Sequence, residues 1–351
     1  MKLLFLSHHW TNNSHHSLHS GFQRLVYYAA AENEVTLVTW ASREQDYREG
    51  PIRIITVRSG RRDFLFKRRI AISRKGASLA PAFDTVHALY EDCTFALPPD
   101  SFTTTFHVLP NVVHYRKPKH RLFLFLKYHL LQRRALRNAT SIACVSTNLL
   151  AAIPRRYRSK ACFIPHGVDT AFWDPALAPN TSANTHPPIT PYNYILCVGA
   201  HGLDRKLLSD FIRTNPGQPF ILVGLKPQLE PFPNTRYLYN ISDEKLRDLY
   251  AGAALLIRPL EFATANNSVL EALSMGKTIV ASRIPGITDY LTEETGIFID
   301  TLTSLSLNNI KPINPNLIRQ SAIDSFSWQK VLAEYSELYH HHPATTNHSH
   351  A

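Results

Sequence analysis

The sequence predicts an α/β protein of two doubly wound domains, each a mainly parallel sheet covered by helices. Three observations carry that prediction. Short, nearly continuously apolar runs alternate with longer helix-like segments, as strands buried on both faces and joined by crossover helices should. The alternation stops at residues 174–192, DPALAPNTSANTHPPITPY, where Pro, Asn, Thr and Ser dominate and no core can form. It then restarts, and the chain of 351 residues is long enough for two such cores.

In the first half the apolar runs are KLLFLSH (2–8), VTLVTW (35–40), IRIITV (52–57), TVHALY (85–90), TTFHVLP (104–110), SIACVS (141–146) and ACFIPHG (161–167). Segments 20–31 and 121–138 supply helices between them. After the linker the runs are YILCVGA (194–200), FILVGLK (220–226), TRYLYN (235–240), ALLIRPL (254–260), TIVASRI (278–284) and GIFID (296–300). Ser242 is placed to cap the helix DEKLRDLYAGA, with Asp243 and Glu244 in the first turn, where the helix dipole favours acids. Asn267 or Ser268 opens a helix that ends at Gly276. The domains expected are 1–173, a linker 174–192, and 193–325. A C-terminal helix, 326–341, is free to cross back to the first domain, and a polar tail, 342–351, is expected to be disordered.

Composition narrows the class. Apolar residues make up 44% of the chain, a globular value. The apolar run at the start, Leu3 to Leu6, is too short for an export signal, and no stretch reaches the roughly 18 apolar residues of a membrane span. Four cysteines, at 93, 144, 162 and 197, form no CxxC pair and read as free thiols of a reducing compartment. A cytoplasmic protein is expected, at most peripheral at the inner face of a membrane. The net charge of +11 is uneven: between Asp100 and Asp169 there are twelve Lys or Arg residues and no acid. Arg61 to Lys75 adds seven more basic residues with one acid, Asp63. Such a surface attracts anions: lipid headgroups, nucleic acid or a phosphorylated substrate. It also serves plain solubility.

Residues 259–291, PLEFATANNSVLEALSMGKTIVASRIPGITDYL, resemble the donor-binding region of the retaining glycosyltransferases of family 4, which have the GT-B fold. VSTNLL (145–150), FIPHGVDTAFWDP (163–175) and the closing FSWQKVLAEYSELY resemble further stretches of that family in the same order. The resemblance implies two Rossmann-like domains facing across a cleft and transfer of a sugar from a nucleotide-diphosphate sugar, of UDP or GDP type. It implies no cofactor and no bound metal.

The same resemblance assigns the site. Glu271 matches the carboxylate that binds the ribose hydroxyls, a task suited to a group accepting two hydrogen bonds. The N–H groups of Asn267, Ser268 and Val269 open the helix before it and are placed to hold a diphosphate; Ala263, Thr264 and Asn266 line its approach. The family has a second acid eight positions before Glu271, where this chain has Ala263. Glu261 either fills that sugar-facing role from a longer loop or is a solvent-facing strand end. Arg205 or Lys206 stands where relatives place a cation against the leaving diphosphate, and Gly286 lies in the loop beside the donor. His107 matches the histidine at the cleft floor that contacts the transferred sugar, and His87 ends the neighbouring strand. Ser20 and Gly21 replace the family's glycine-rich acceptor and phosphate loop. His166, Gly167 and Asp169 form the hinge, with Gly167 expected to permit a tight turn and Asp169 to cap it.

The acceptor expected is a hydroxyl of a glycan, lipid-linked or anionic molecule, met at the basic first domain and RLFLFLKYHLLQRR (121–134), whose apolar stripe either faces a membrane or packs on the sheet. Histidines 8, 9, 15, 16 and 19 lack the Cys or carboxylate spacing of a metal site. No zinc finger, helix-turn-helix or aromatic-and-basic module supports nucleic-acid binding. A degenerate, non-catalytic nucleotide-sugar-binding subunit and a sugar-phosphate epimerase are the alternatives that share the architecture.

Overall fold

The structure is a computed structural model and describes residues 1–10, 22–59, 66–109, 118–178, 194–225, 232–302, 304–306 and 310–341. The chain divides into two compact units. Ser20, Gly21, most of the linker and the tail lie outside the described residues.

In the first unit, β1 (Lys2–Leu6) leads to α1 (Gln23–Ala29), β2 (Glu34–Ala41), β3 (Gln45–Glu49), β4 (Ile52–Arg58) and α2 (Lys67–Leu79). Then come β5 (Thr85–Ala88), β6 (Thr103–Phe106), α3 (Pro118–Lys127), a π-helical turn (Tyr128–Gln132), α4 (Arg133–Asn138), β7 (Ser141–Cys144), α5 (Thr147–Ala152) and β8 (Ala161–Phe163). The strand order is β3-β4-β2-β1-β5-β6-β7-β8. Only the edge pair β3–β4 is antiparallel. In the central strands β1 and β5, Leu4, Phe5, Leu6 and Ala88 are fully enclosed. The sheet fans outward in both directions from β1, so its switch point lies between β1 and β5, where open α/β sheets bind ligands.

Sequence patterning missed β3 and α2. β3, QDYRE, has no fully buried residue and pairs only as an edge, so it carries no apolar signal. α2 was visible only as a run of basic residues. It buries just Ile72, Ser73 and Gly76, and the side chain of Leu6 comes so close to Gly76 that a Cβ would meet Cδ1 at 2.7 Å.

In the second unit, β9 (Tyr194–Val198) is followed by α6 (Arg205–Thr214), β10 (Phe220–Val223), β11 (Thr235–Leu238), α7 (Asp243–Gly252), β12 (Ala253–Arg258), α8 (Asn267–Ser274), β13 (Ile279–Ala281), β14 (Ile297–Phe298) and α9 (Pro315–Phe326). All neighbours in the order β11-β10-β9-β12-β13-β14 run parallel. The switch point lies between β9 and β12. Ser242 accepts a hydrogen bond from the Lys245 N–H, 3.2 Å away, and caps α7.

The boundary between the units falls at Pro165/His166 rather than after residue 173. The reason is Trp173, which is fully buried in the second core against Tyr250, with ring centroids 5.7 Å apart. Val168 pairs through its backbone with Phe326 and Trp328, which holds residues 166–173 to this unit. The last helix, α10 (Trp328–His341), starts in the second unit, and from Val331 onward it belongs to the first. There Tyr335 and Tyr339 are buried beside β5 and β6.

Candidate active site

In the second unit, residues at the carboxyl ends of β9 and β12 and at the start of α8 enclose a pocket of about 340 Å³. Its lining includes Gly199, His201, Arg258, Phe262, Ala263 and Asn266, and continues through Asn267 and Ser268 to Glu271. Two turns form the rim. The Asp204 and Glu261 N–H groups donate to the carbonyls of Pro259 and Gly202, tying residues 199–204 to 259–262.

Glu271 is 4% exposed, and its Oε2 accepts the Tyr250 hydroxyl at 2.8 Å. Burial, together with the neighbouring carboxylate, pushes the Tyr250 phenol well above its ordinary range, so it is a permanent donor at neutral pH. One carboxylate oxygen is thereby fixed. Asn266 caps α8 by accepting from the Val269 N–H. Val269 is fully buried and its N–H is already engaged, so it does not offer a donor to a ligand, contrary to expectation. Asn267 and Ser268 remain at the pocket wall.

Arg258 was not singled out from sequence, although an arginine closing the apolar run LLIR was the available signal. It is 2% exposed. Its Nη1 donates to the carbonyls of Val198 and, at 2.8 Å, Gly199, while its Nε is buried without a partner. The chain therefore fixes one cation at the switch point, using carbonyls rather than a carboxylate. The cations expected from sequence sit elsewhere. Lys206 is exposed and paired with Asp210 at 2.7 Å on the surface of α6. Arg205 lines a separate crevice with Leu208, Phe232 and Tyr237. Neither is in the lining of the 340 Å³ pocket.

Glu261 is exposed, and the lining passes through its neighbours Phe262 and Ala263. Gly286 has a φ of +83°, and a Cβ there would fall against the backbone of Ala263 and Thr264, 3.0 Å from the Thr264 nitrogen. Its role is to let two loops touch. At the hinge the expectation of a tight turn at Gly167 gives way to a packing role. Gly167 is not among the glycines with positive φ, but a Cβ would stand 2.5 Å from Trp328 Cδ2. His166 donates its N–H to the Tyr290 hydroxyl at 2.9 Å and meets Trp328 edge to face. Asp169 is fully buried and its Oδ1 accepts from the Phe172 N–H.

In the first unit the switch point gathers His8 and His9 after β1, Tyr90 to Asp92 after β5, and His107 after β6. His107 stacks on Tyr90 with centroids 4.7 Å apart, and its Nε2 donates to the Leu89 carbonyl at 2.9 Å. Burial lowers its pKa, so the ring is neutral with Nδ1 as the acceptor nitrogen. Beneath it lies a buried ionic group. Glu91 Oε1 accepts from Lys127 (2.7 Å) and Gln132 (2.8 Å), and Glu91 Oε2 accepts the His107 N–H at 3.3 Å. Asp92 pairs with Arg69, Lys127 and His8. His8, Asp92 and Cys93 converge closely enough to hold a metal, but Asp92 Oδ2 already faces the two cations Arg69 and Lys127.

His87 is not a site residue of this kind. It is 1% exposed, and both ring nitrogens are engaged, with Tyr339 at 2.7 Å and Thr105 at 2.9 Å. Burial lowers its pKa to about 3. It is a neutral tie between the sheet and the last helix.

Known proteins share this fold. The chain superposes on sucrose-phosphate synthase from Thermosynechococcus elongatus with a TM-score of 0.67 at 16% identity, over 97% of this chain and 98% of that one. The catalytic domain of starch synthase IV from Arabidopsis thaliana, bound to ADP and acarbose, gives 0.68 at 13% identity over 97% and 98%. Anabaena Alr3699/HepE, in complex with UDP and glucose, gives 0.64 at 14% over 96% and 98%. No curated protein sequence matches the chain. Two Rossmann-like α/β domains of this kind define the GT-B fold, and the chain has that fold. Residues 195–307, which contain the pocket, match the family model described as glycosyl transferases group 1.

Proposed function

We propose that the chain moves a sugar from a UDP- or GDP-type sugar donor to a hydroxyl of a glycan, lipid-linked or anionic acceptor, with retention of configuration and without a metal ion. The observation that carries the donor half is Glu271, held by Tyr250 in the wall of a pocket that also contains a buried arginine. The carboxylate, which can accept two hydrogen bonds, meets the two ribose hydroxyls. The backbone N–H groups of Asn267 and Ser268 and the charge of Arg258 meet the diphosphate, where developing negative charge needs fixed donors. Arg258 supplies there the positive charge that metal-dependent transferases take from an ion.

On the acceptor side, His107 presents a neutral Nδ1 suited to accept a sugar hydroxyl. The leaving phosphate helps to deprotonate the acceptor hydroxyl as it attacks from the same face, which accounts for retention without a covalent intermediate. Glu261 contributes to sugar contact only if its loop moves when donor binds.

The test is calorimetric titration with UDP, GDP and ADP and their common sugars, with magnesium and with EDTA. Saturable binding of one nucleotide, unchanged by EDTA and lost in Glu271→Ala, supports the reading. Absence of binding by any of them from folded protein removes it and leaves the non-catalytic alternative. Transfer of a labelled sugar then separates catalysis from binding alone.

A further inference from the structure

α3, the π-helical turn and α4 leave an apolar face uncovered. Leu122, Phe123, Phe125, Leu126 and Leu130 are 59%, 46%, 55%, 37% and 51% exposed. These are five of the nine exposed large apolar side chains among the described residues, and they lie within nine consecutive positions. Scattered exposed leucines need no explanation, but a contiguous row does.

The row is held outward. On the opposite face, Leu124, Leu131, Ala135 and Leu136 are buried. Lys127 reaches in to Glu91 and Asp92, and Gln132 reaches in to Glu91 and the Val108 carbonyl at 2.6 Å. Rolling the apolar row inward would break these buried charge contacts, which is strongly unfavourable. The same helical face continues into Arg133 and Arg137, both exposed. Beside it, Phe123 packs on Phe66 with centroids 5.4 Å apart, and the exposed Lys67 follows Phe66. Neither α2 nor residues 101–168 contain an acid.

We propose that this face docks the first unit onto an anionic lipid bilayer, its apolar row entering the headgroup boundary and Arg133, Arg137 and Lys67 meeting lipid phosphates. An apolar row bordered by cations, with no anion of its own, is the chemistry of an interfacial helix. No helix among the described residues is long and apolar enough to cross a membrane, so contact is along the surface. A second copy of the chain fits less well. In a two-fold interface the row would set the same acid-free, basic borders against one another. The inference does not depend on which sugar is moved, or on whether one is.

Sedimentation of the full chain with vesicles tests it. Phosphatidylcholine vesicles containing phosphatidylglycerol should pellet the protein at low salt, and pure phosphatidylcholine vesicles should do so far less. Replacing Leu122, Phe125 and Leu130 together by Gln should weaken binding on the order of tenfold or more, with the unfolding midpoint unchanged because these side chains are exposed. Should that variant fail to fold, Arg133→Gln with Arg137→Gln decides, with an expected loss of about fivefold per charge removed. Three results overturn the proposal: no pelleting with anionic vesicles, variants that pellet like wild type, or a wild-type dimer that the triple variant makes monomeric.

Discussion

The Tyr250 hydroxyl donates to Glu271 Oε2 across 2.8 Å inside the second core, so the orientation of the carboxylate is set by α7 as well as by its own helix. Tyr250→Phe keeps the packing and removes one hydrogen bond, at a cost of roughly 1–2 kcal/mol. Nucleotide affinity should fall about three- to tenfold, while Glu271→Ala should abolish measurable binding. Calorimetry on both, with unfolding midpoints as the control for folding, checks this. Equal affinity in all three proteins would mean that Glu271 does not meet the nucleotide.

Arg258 should discriminate diphosphate from bare nucleoside. Wild type is expected to bind UDP or GDP far more tightly than the matching nucleoside. In Arg258→Met that preference should shrink by roughly 2 kcal/mol, the worth of a charge-assisted hydrogen bond. The variant should also be less stable, because the carbonyls of Val198 and Gly199 lose their donor. An unchanged ratio of the two affinities would assign Arg258 to structure alone.

Gly167→Ala places a methyl group against the Trp328 ring. Overpacking of this kind costs about 1–3 kcal/mol, which thermal or denaturant unfolding will register. The smaller ring of Trp328→Phe should offset part of the loss, so the double substitution should cost less than the sum of the two. Strict additivity would show that the contact is not made.

His87 makes the first unit acid-sensitive. Its pKa is about 3 when folded, below the ordinary value of 6.5. The unfolded chain therefore takes up a proton between pH 6.5 and 3 that the folded chain refuses. Stability is complete above pH 6.5 and is lost as pH falls, by roughly 4–5 kcal/mol at pH 3 for this group alone. His87→Gln should flatten that slope while lowering stability at pH 7. A slope identical to that of wild type would show that His87 does not set it.

Much of the fold was legible because buried parallel strands advertise themselves as continuous apolar runs. What sequence could not show was where side chains reach. Arg258 closes an apolar strand and looks like its solvent-facing end, yet it turns inward onto two carbonyls. Arg205 and Lys206 open a helix near the expected place for a cation, but α6 carries them outside the pocket lining. His87 and His107 end neighbouring strands and look alike in sequence. One ring joins Tyr339 and Thr105; the other stacks on Tyr90 and donates to the Leu89 carbonyl. Trp173 sits eight residues past the unit boundary because a large aromatic ring finds its core by volume, which no periodicity records.

The pairing of His87 with Tyr339 spans 252 positions. During synthesis, β5 leaves the ribosome long before its partner on α10 has been made. At roughly 5–20 residues per second the wait is on the order of 10–50 seconds. The stretch 166–330 of the second unit is continuous in sequence and can complete its core while that wait lasts. The first unit, though translated first, finishes last, and until then it exposes an unfilled seam to which a chaperone could bind.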